Sequence, residues 1–242
     1  MPRYNMFCPQ RALIRMSWDP RNLFNLARRS LPLALGQKAT VFQRHWLAKK
    51  ETRAYFAPFL QEKSFRRFWF EPRLRVSTVA RTGGVTGDNP SPGALAFAPI
   101  ERRADVVLHR ALFTSDVIKA KVAIWLKKVK LNGKMTNPAR VLKDGDMLQI
   151  CASHCALLSK TSTKHGHEFN NVPHAAPFMF VPEYLDVNYA ARTVVFLREP
   201  ALRANRVEIP SPHSPEMMMH AFEFYRKHIK KRLSYERILK KR

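Results

Sequence analysis

The segment from Glu101 to Ile150 constrains the fold more than any other stretch, because helical periodicity, strand periodicity and turn dipeptides follow one another without a gap. Ala104, Val107, Leu108, Ala111 and Leu112 fall at i, i+3, i+4, i+7 and i+8, which predicts a helix with one apolar stripe. Arg103 and Arg110, seven residues apart, are expected to project together from the opposite side. Asp105 falls in the first turn, where a carboxylate suits the positive end of the helix dipole, so its role reads as structural rather than catalytic.

A second helix is expected to start at Thr114-Ser115-Asp116, three side chains whose oxygens can accept the unpaired N–H groups of a helix start. Ile118, Val122, Trp125 and Val129 lie on one side of it, and Ala120, Ala123 and Ile124 widen that face, so cover on more than one side is expected. Val129-Lys130-Leu131 alternates as a strand, and Asn132-Gly133 is the dipeptide that best tolerates the positive φ values of a two-residue hairpin turn. Asp144-Gly145-Asp146 makes a further turn before the strand Met147 to Ile150. The fold class implied is α+β, with two helices on a small antiparallel sheet.

Taken together these residues resemble the S-four RNA-binding domain, a family module shared by a universal small-subunit ribosomal protein and several RNA-modifying enzymes. The resemblance rests on Arg103-Ala104-Asp105, Arg110, the hydroxyl-rich helix start, Leu131-Asn132-Gly133-Lys134 and Lys143-Asp144-Gly145-Asp146. Val117 stands where the family usually carries an arginine and Asp116 where it carries Ser or Thr, whereas Lys121 keeps a positive charge at an arginine position. The resemblance implies RNA contacts from Arg102, Arg103, His109, Arg110, Ser115, Lys119, Lys121, Lys127, Lys128 and Lys134. Such contacts would read shape through phosphates and 2′-hydroxyls more than base identity. On that expectation, Arg103→Glu combined with Arg110→Glu abolishes RNA association without unfolding the module.

Charge points the same way. Lys and Arg number 43 against 18 Asp and Glu in 242 residues, a formal net charge of +25. An excess of this size repels itself, so a polyanionic partner is the natural expectation. No run approaches the ~20 apolar residues of a spanning helix, so no membrane role is expected. Three cysteines, Cys8, Cys151 and Cys155, cannot build a disulfide framework and suit reducing surroundings.

From Met1 to Lys50 the only acid is Asp19, among many arginines and lysines interleaved with Leu, Phe and Met. This composition fits a mitochondrial targeting segment and equally a basic arm laid along RNA. Between Trp46 and Phe70, aromatic and basic residues mix at helical spacing. Trp46, Tyr55, Phe59 and Phe65 are expected to enter a core, while Arg53, Lys63, Arg66 and Arg67 are candidates for phosphates. Trp46-Leu47-Ala48-Lys49, Glu51-Thr52-Arg53-Ala54-Tyr55 and Glu62-Lys63 resemble the N-terminal region of fungal-type mitochondrial members of the S-four ribosomal family.

Arg81 to Pro99, with its Gly and Pro pairs, reads as a linker. Ala152 to Pro177 reads as an exposed insertion with little periodicity. Cys151, His154, Cys155, His165, His167 and His174 are zinc-ligand types, but their spacing lacks the paired pattern of strong zinc sites. A histidine-rich loop without metal is therefore expected. Pro182-Glu183-Tyr184-Leu185-Asp186-Val187, the strand Thr193 to Leu197, Arg198-Glu199-Pro200 and Glu223-Phe224-Tyr225 resemble the tail of the ribosomal family, which its enzyme cousins lack. Glu216 to Arg242 predicts a long basic helix, with Met217, Met218, Met219, Ala221 and Phe222 as core or contact surface and Lys230 and Lys231 among its candidates for phosphates.

No phosphate-cradling glycine loop, Gly-x-Ser-x-Gly elbow or His-Glu-x-x-His occurs. The expected organisation is a basic N-terminal region over 1–99, the S-four module over 100–152 and a C-terminal extension over 153–242. The function implied by the resemblance is that of a non-enzymatic constituent of the mitochondrial small ribosomal subunit, without cofactor. Its expected partners are small-subunit rRNA, bound early in assembly, neighbouring ribosomal proteins and incoming mRNA. The alternative is a free S-four binder or a pseudouridine synthase-like factor. The ~90 residues after the module cannot hold the separate catalytic domain such an enzyme needs.

Overall fold

The computed structural model describes residues 7–9, 11–28, 39–70, 95–155, 158–163, 166–169, 180–203 and 206–239, with backbone alone at 68–70, 158–163, 166–169, 202–203, 206 and 228–239. Most of the sequence-read linker, His165, His174 and the terminal Lys240-Lys241-Arg242 lie outside the described residues. The chain divides into two compact units. One is built from 1–29, 98–200 and 208–211, the other from 30–97, 201–207 and 212–242.

The first unit is α+β. Helix α1, Pro20–Ala27, is capped by Asp19, whose carboxylate accepts from the Arg21 N–H, and has Pro at its first position, where no N–H is missed. The segment before it is pinned by buried Asn22, whose amide bonds the backbone of Arg15 and Ser17. Numbering helices in chain order, α2 (Val41–Phe56) and α3 (Glu62–Ser64) belong to the second unit, and α4 (Ala98–Glu101), α5 (Ala104–Arg110) and α6 (Val117–Trp125) to the first. Helix α5 ends with Leu112 at φ 63 and Phe113 N–H bonding back to Leu108 O; α6 ends with Lys127 at φ 58 and Lys128 N–H bonding back to Ala123 O. Both ends are left-handed C-caps formed without glycine.

Strands β1 (Val129–Leu131) and β2 (Lys134–Met135) form the expected hairpin, with Asn132 at φ 48 and Gly133 at φ 79. Strand β3, Met147–Ile150, pairs with β1, and β6 (Leu185–Asn188) and β7 (Thr193–Phe196) complete an antiparallel sheet in the order β2-β1-β3-β7-β6. Two of the five strands lie beyond residue 152, so the sheet extends past the segment 100–152. Leu148 lies opposite Val194 across β3 and β7, and both are buried, so the pairing unites a local hairpin with residues more than forty positions downstream.

Under this sheet, Ala104, Val107, Leu108 and Ala111 of α5 meet Ala120, Ala123 and Ile124 of α6 and Val129, Leu148, Ile150, Val194 and Phe196 of the strands. The first stripe is as expected from sequence, apart from half-buried Leu112. The second is reversed. Ile118, Val122 and Trp125 are exposed, because the small residues Ala120 and Ala123 let α6 approach its neighbours closely on the other side. The segment 152–177 also differs from the reading as an unpatterned insertion, since β4 (Leu158–Thr163) and β5 (Gly166–Phe169) pair antiparallel. A two-stranded ribbon is held by backbone bonds and needs no apolar alternation.

In the second unit, α2 starts with a capping box in which the Thr40 hydroxyl accepts from Gln43 N–H and the Gln43 side chain accepts from Thr40 N–H. It packs along α7, Pro215–Leu239. Tyr55, Phe56, Phe65 and Phe97 are buried with Met217, Met218, Ala221, Phe224 and Tyr225. Tyr55 and Phe65 thus enter the core as expected, whereas Trp46 is 49% exposed and Phe59 half-buried. Phe97 stacks on Phe56 at 4.6 Å, and the following Ala98 and Pro99 are buried in α4, so the end of the sequence-read linker is core. Strands β8 (Leu202–Arg203) and β9 (Arg206–Val207) form a short hairpin.

Candidate nucleic-acid interface

Helix α5 and the turn before it carry four of the residues expected to meet RNA, and the structure turns three of them inward. Arg103, 3% exposed, donates through Nε and Nη2 to the Asp105 carboxylate at 2.9 and 2.6 Å. Burial raises the Asp105 pKa, while the Arg103 guanidinium beside it pulls the other way. Arg110, 4% exposed, makes the same two-pronged contact with Glu101 at 2.9 and 2.8 Å, and the Tyr184 hydroxyl donates to that carboxylate at 2.8 Å. These are planar guanidinium–carboxylate pairs with their remaining valences filled, the arrangement in which a buried ion pair is tolerated. His109 is also buried, its Nδ1 lying 3.1 Å from Thr114 O. Burial, reinforced by Arg110, pushes its pKa down to about 3, so the ring is neutral at pH 7 and Nδ1–H donates to that carbonyl.

The expectation that Arg103 and Arg110 project from the module is therefore corrected. A helix whose seven residues are all buried has no free side, and its cations must find carboxylates within the fold. Arg103→Glu with Arg110→Glu would set like charges against Asp105 and Glu101 and unfold the unit. Arg102 is only partly available: its guanidinium bonds Leu142 O at 2.8 Å and pairs with Glu199 and with Asp144. Ser115 is half-buried, and its carbonyl accepts from Trp18 N–H at 2.9 Å.

The lysines behave oppositely. Lys119, Lys127, Lys128 and Lys134 are exposed, and Lys121 is half-buried with its Nζ 4.6 Å from the centre of the Trp125 ring. Asp116 caps α6 by accepting from Lys119 N–H at 2.6 Å, so an acid at this hydroxyl position still closes the helix start. On the same hairpin and the loop after it, Lys130, Arg140 and Lys143 are exposed as well and were not among the sequence-read contacts. Lys130 points away from the core on β1, as the alternation Val129-Lys130-Leu131 already required. Arg140 and Lys143 sit in the loop between β2 and β3 and, with Lys134, Asn132 and Asn137, line an open cleft of about 760 Å³.

That loop is held rigidly. Asn132 donates to Asp146 Oδ1 and accepts from Met147 N–H, each at 2.9 Å, while Asp146 accepts from Lys143 N–H at 2.8 Å. Gly145, at φ +88, supplies the left-handed turn between them. The Asn-Gly and Asp-Gly-Asp motifs thus brace each other across the hairpin and fix the cleft between them.

In the second unit, Arg53 donates to Leu60 O at 2.6 Å and pairs with Glu62 at 2.9 Å. Arg66 is half-buried and Arg67 exposed; Lys230 and Lys231 lie on α7, described there by backbone alone. No helix among the described residues is long and apolar enough to cross a membrane.

No family model matches the chain. It is, however, similar to the small ribosomal subunit protein uS4m of Schizosaccharomyces pombe, 29% identical with 90% of this chain and 79% of the relative covered. Similar too is the small ribosomal subunit protein uS4 of Roseobacter denitrificans, 29% identical over 74% of each chain, and that of Ruegeria pomeroyi, 30% identical over 64% of each. The chain is similar, over most of its length, to proteins of the uS4 family. Within that family the mitochondrial relative covers more of it than these bacterial ones, and its place is the mitochondrion. Two features of this uS4-like chain, the paired buried arginines and the exposed lysines, separate its framework from its accessible charge.

Proposed function

We propose that the protein is a structural constituent of the mitochondrial small ribosomal subunit, and that it binds small-subunit rRNA through the lysine-rich surface of its first unit. The observation that carries this reading is the segregation of charge. Arg103 and Arg110, at the two ends of α5, are paired with internal carboxylates, while Lys119, Lys127, Lys128, Lys130, Lys134, Arg140 and Lys143 stay exposed along α6, β1, β2 and the loops that follow them. Helices α5 and α6 with β1 to β3 correspond on this reading to the S-four module, extended by β6 and β7. Spaced point charges on a rigid hairpin suit phosphates and 2′-hydroxyls of a folded RNA, whose deep major groove excludes side chains. The relatives carry the names of ribosomal subunit proteins rather than RNA-modifying enzymes, which favours the structural role over the modifying one. Joining the rRNA early in assembly and contact with incoming mRNA extend the same reading.

The test is sedimentation of the tagged protein from a mitochondrial extract on a sucrose gradient. Comigration with the small-subunit rRNA, abolished by RNase, is the expected result. A free pool untouched by RNase overturns it.

A further inference from the structure

Within the second unit, α2 and α7 bring together three groups of metal-ligand type that RNA binding does not use. His45 on α2 is 3% exposed, and its Nε2 lies 2.8 Å from Glu223 Oε2 on α7. His220 stands three residues before Glu223, one helical turn away on the same face, and its ring centre is 5.3 Å from that of His45. One nitrogen of each imidazole and one carboxylate oxygen all lie within 4.8 Å of one another. A second observation is independent of this clustering: Nδ1 of His220 is buried and has no hydrogen-bond partner among the described residues. A buried ring nitrogen without a partner is costly unless something else satisfies it.

We infer that His45, His220 and Glu223 form a binding site for one zinc-class divalent cation that ties α2 to α7. Two imidazoles and a carboxylate are an established donor set for such an ion, and a tetrahedral centre places its ligand atoms about 3.4 Å apart. The His45–Glu223 pair opens slightly to admit the ion, His220 swings in, and a water from the exposed side of Glu223 takes the fourth position. In the ion-free fold His45 Nε2–H donates to the Glu223 carboxylate; on binding, Nδ1 carries the ring proton, taken up from solvent, and the Nε2 proton is released to solvent, so that the Nε2 lone pair faces the ion. Nearby charge sets the limits of affinity: Lys227 follows Glu223 by one turn and Lys49 follows His45 by one turn, the latter's Nζ held 3.3 Å from Glu62. Because Lys49 is occupied by that carboxylate, Glu223 is left to the ion.

The site is tested with Co²⁺ added to the purified metal-free full-length chain, read by visible absorption and by equilibrium dialysis. One equivalent bound with tetrahedral d–d bands and no intense near-ultraviolet thiolate band is expected, displaced by Zn²⁺. His220→Gln and Glu223→Gln, both at partly exposed positions, should keep the helical circular dichroism of the metal-free chain and weaken Co²⁺ binding at least tenfold. Absence of tetrahedral bands, their survival at full strength in both variants, or a thiolate band that disappears in Cys151→Ser with Cys155→Ser would each overturn the assignment.

Discussion

Helices α5 and α6 are neighbours in sequence and share one core, yet they handle positive charge in opposite ways. Every residue of α5 is buried, and Arg110 on it and Arg103 at its N-cap are satisfied by Glu101 and Asp105; α6 buries only Val117, Ala120, Ala123 and Ile124, leaving Lys119 exposed and Lys121 half-buried. The difference follows from the side chains. A guanidinium is planar, weakly hydrated and matched to a carboxylate in two bonds, so it can be taken inside with a partner; an ammonium is a strongly hydrated point charge that stays out. What this teaches is that a basic sequence does not by itself mark a nucleic-acid surface. The arginines of α5 belong to the framework, and the lysines beyond it are what a polyanion can reach.

The comparison is broken most forcefully by removing one partner of a buried pair. Glu101→Ala strands the Arg110 guanidinium and the Tyr184 hydroxyl and should cost about 3–5 kcal/mol, measured by urea denaturation. A loss below about 1 kcal/mol would mean that Arg110 reaches water after all. Replacing the pair together, Glu101→Leu with Arg110→Met, should recover much of the loss, since no charge is then left buried.

The next effect is acid sensitivity. The folded chain holds the His109 pKa near about 3, well below the ordinary 6.5. As pH falls below 6.5 the unfolded chain takes up a proton that the folded chain refuses, so this contribution is complete above pH 6.5 and is lost on the way down towards 3. It amounts to at most about 1.4 kcal/mol per pH unit. His109→Asn retains a donor for Thr114 O and does not titrate, so the stability difference between the two proteins should change with that slope between pH 6.5 and 4.5. A constant difference would show that His109 is protonated in the fold.

The exposed lysines should give the reverse signature. Lys128→Gln and Lys134→Gln are expected to change stability by no more than about 0.5 kcal/mol. Each should nevertheless lower the slope of log affinity against log salt for a small-subunit rRNA fragment by about 0.7–0.9. An unchanged salt slope would remove that lysine from the RNA-binding surface. The smallest effect belongs to Lys127, whose φ of 58 strains a residue bearing a Cβ. Lys127→Gly should raise stability by about 0.5 kcal/mol, relief of strain being partly offset by the greater freedom of glycine in the unfolded chain.

Much of the local architecture was legible because it is written in short-range chemistry. The apolar spacing of α5, the Asn132-Gly133 and Asp144-Gly145-Asp146 turns, strands β1, β3 and β7 and the terminal helix all depend on residues a few positions apart. The resemblance to S-four proteins was legible for the same reason, since its motifs are those turns and caps. The orientation of α6 was not, because Ile118, Val122 and Trp125 make as good a stripe as Val117, Ala120 and Ile124 until the partner surface is known. Of the residues read as RNA-facing, Arg103, His109 and Arg110 are buried, and Lys130, Arg140 and Lys143, which that reading left out, are exposed.

By itself, then, the sequence determined an α+β segment, a large positive charge and the turns that frame a hairpin, each the product of contacts between near neighbours. Only the tertiary structure decided which cations are accessible. Glu199 reaches Arg102, Tyr184 reaches the Glu101–Arg110 pair and His220 comes beside His45 across long sequence separations, where no periodicity records the partner. Burial of a charge depends on its partner's position, and that is a property of the folded chain.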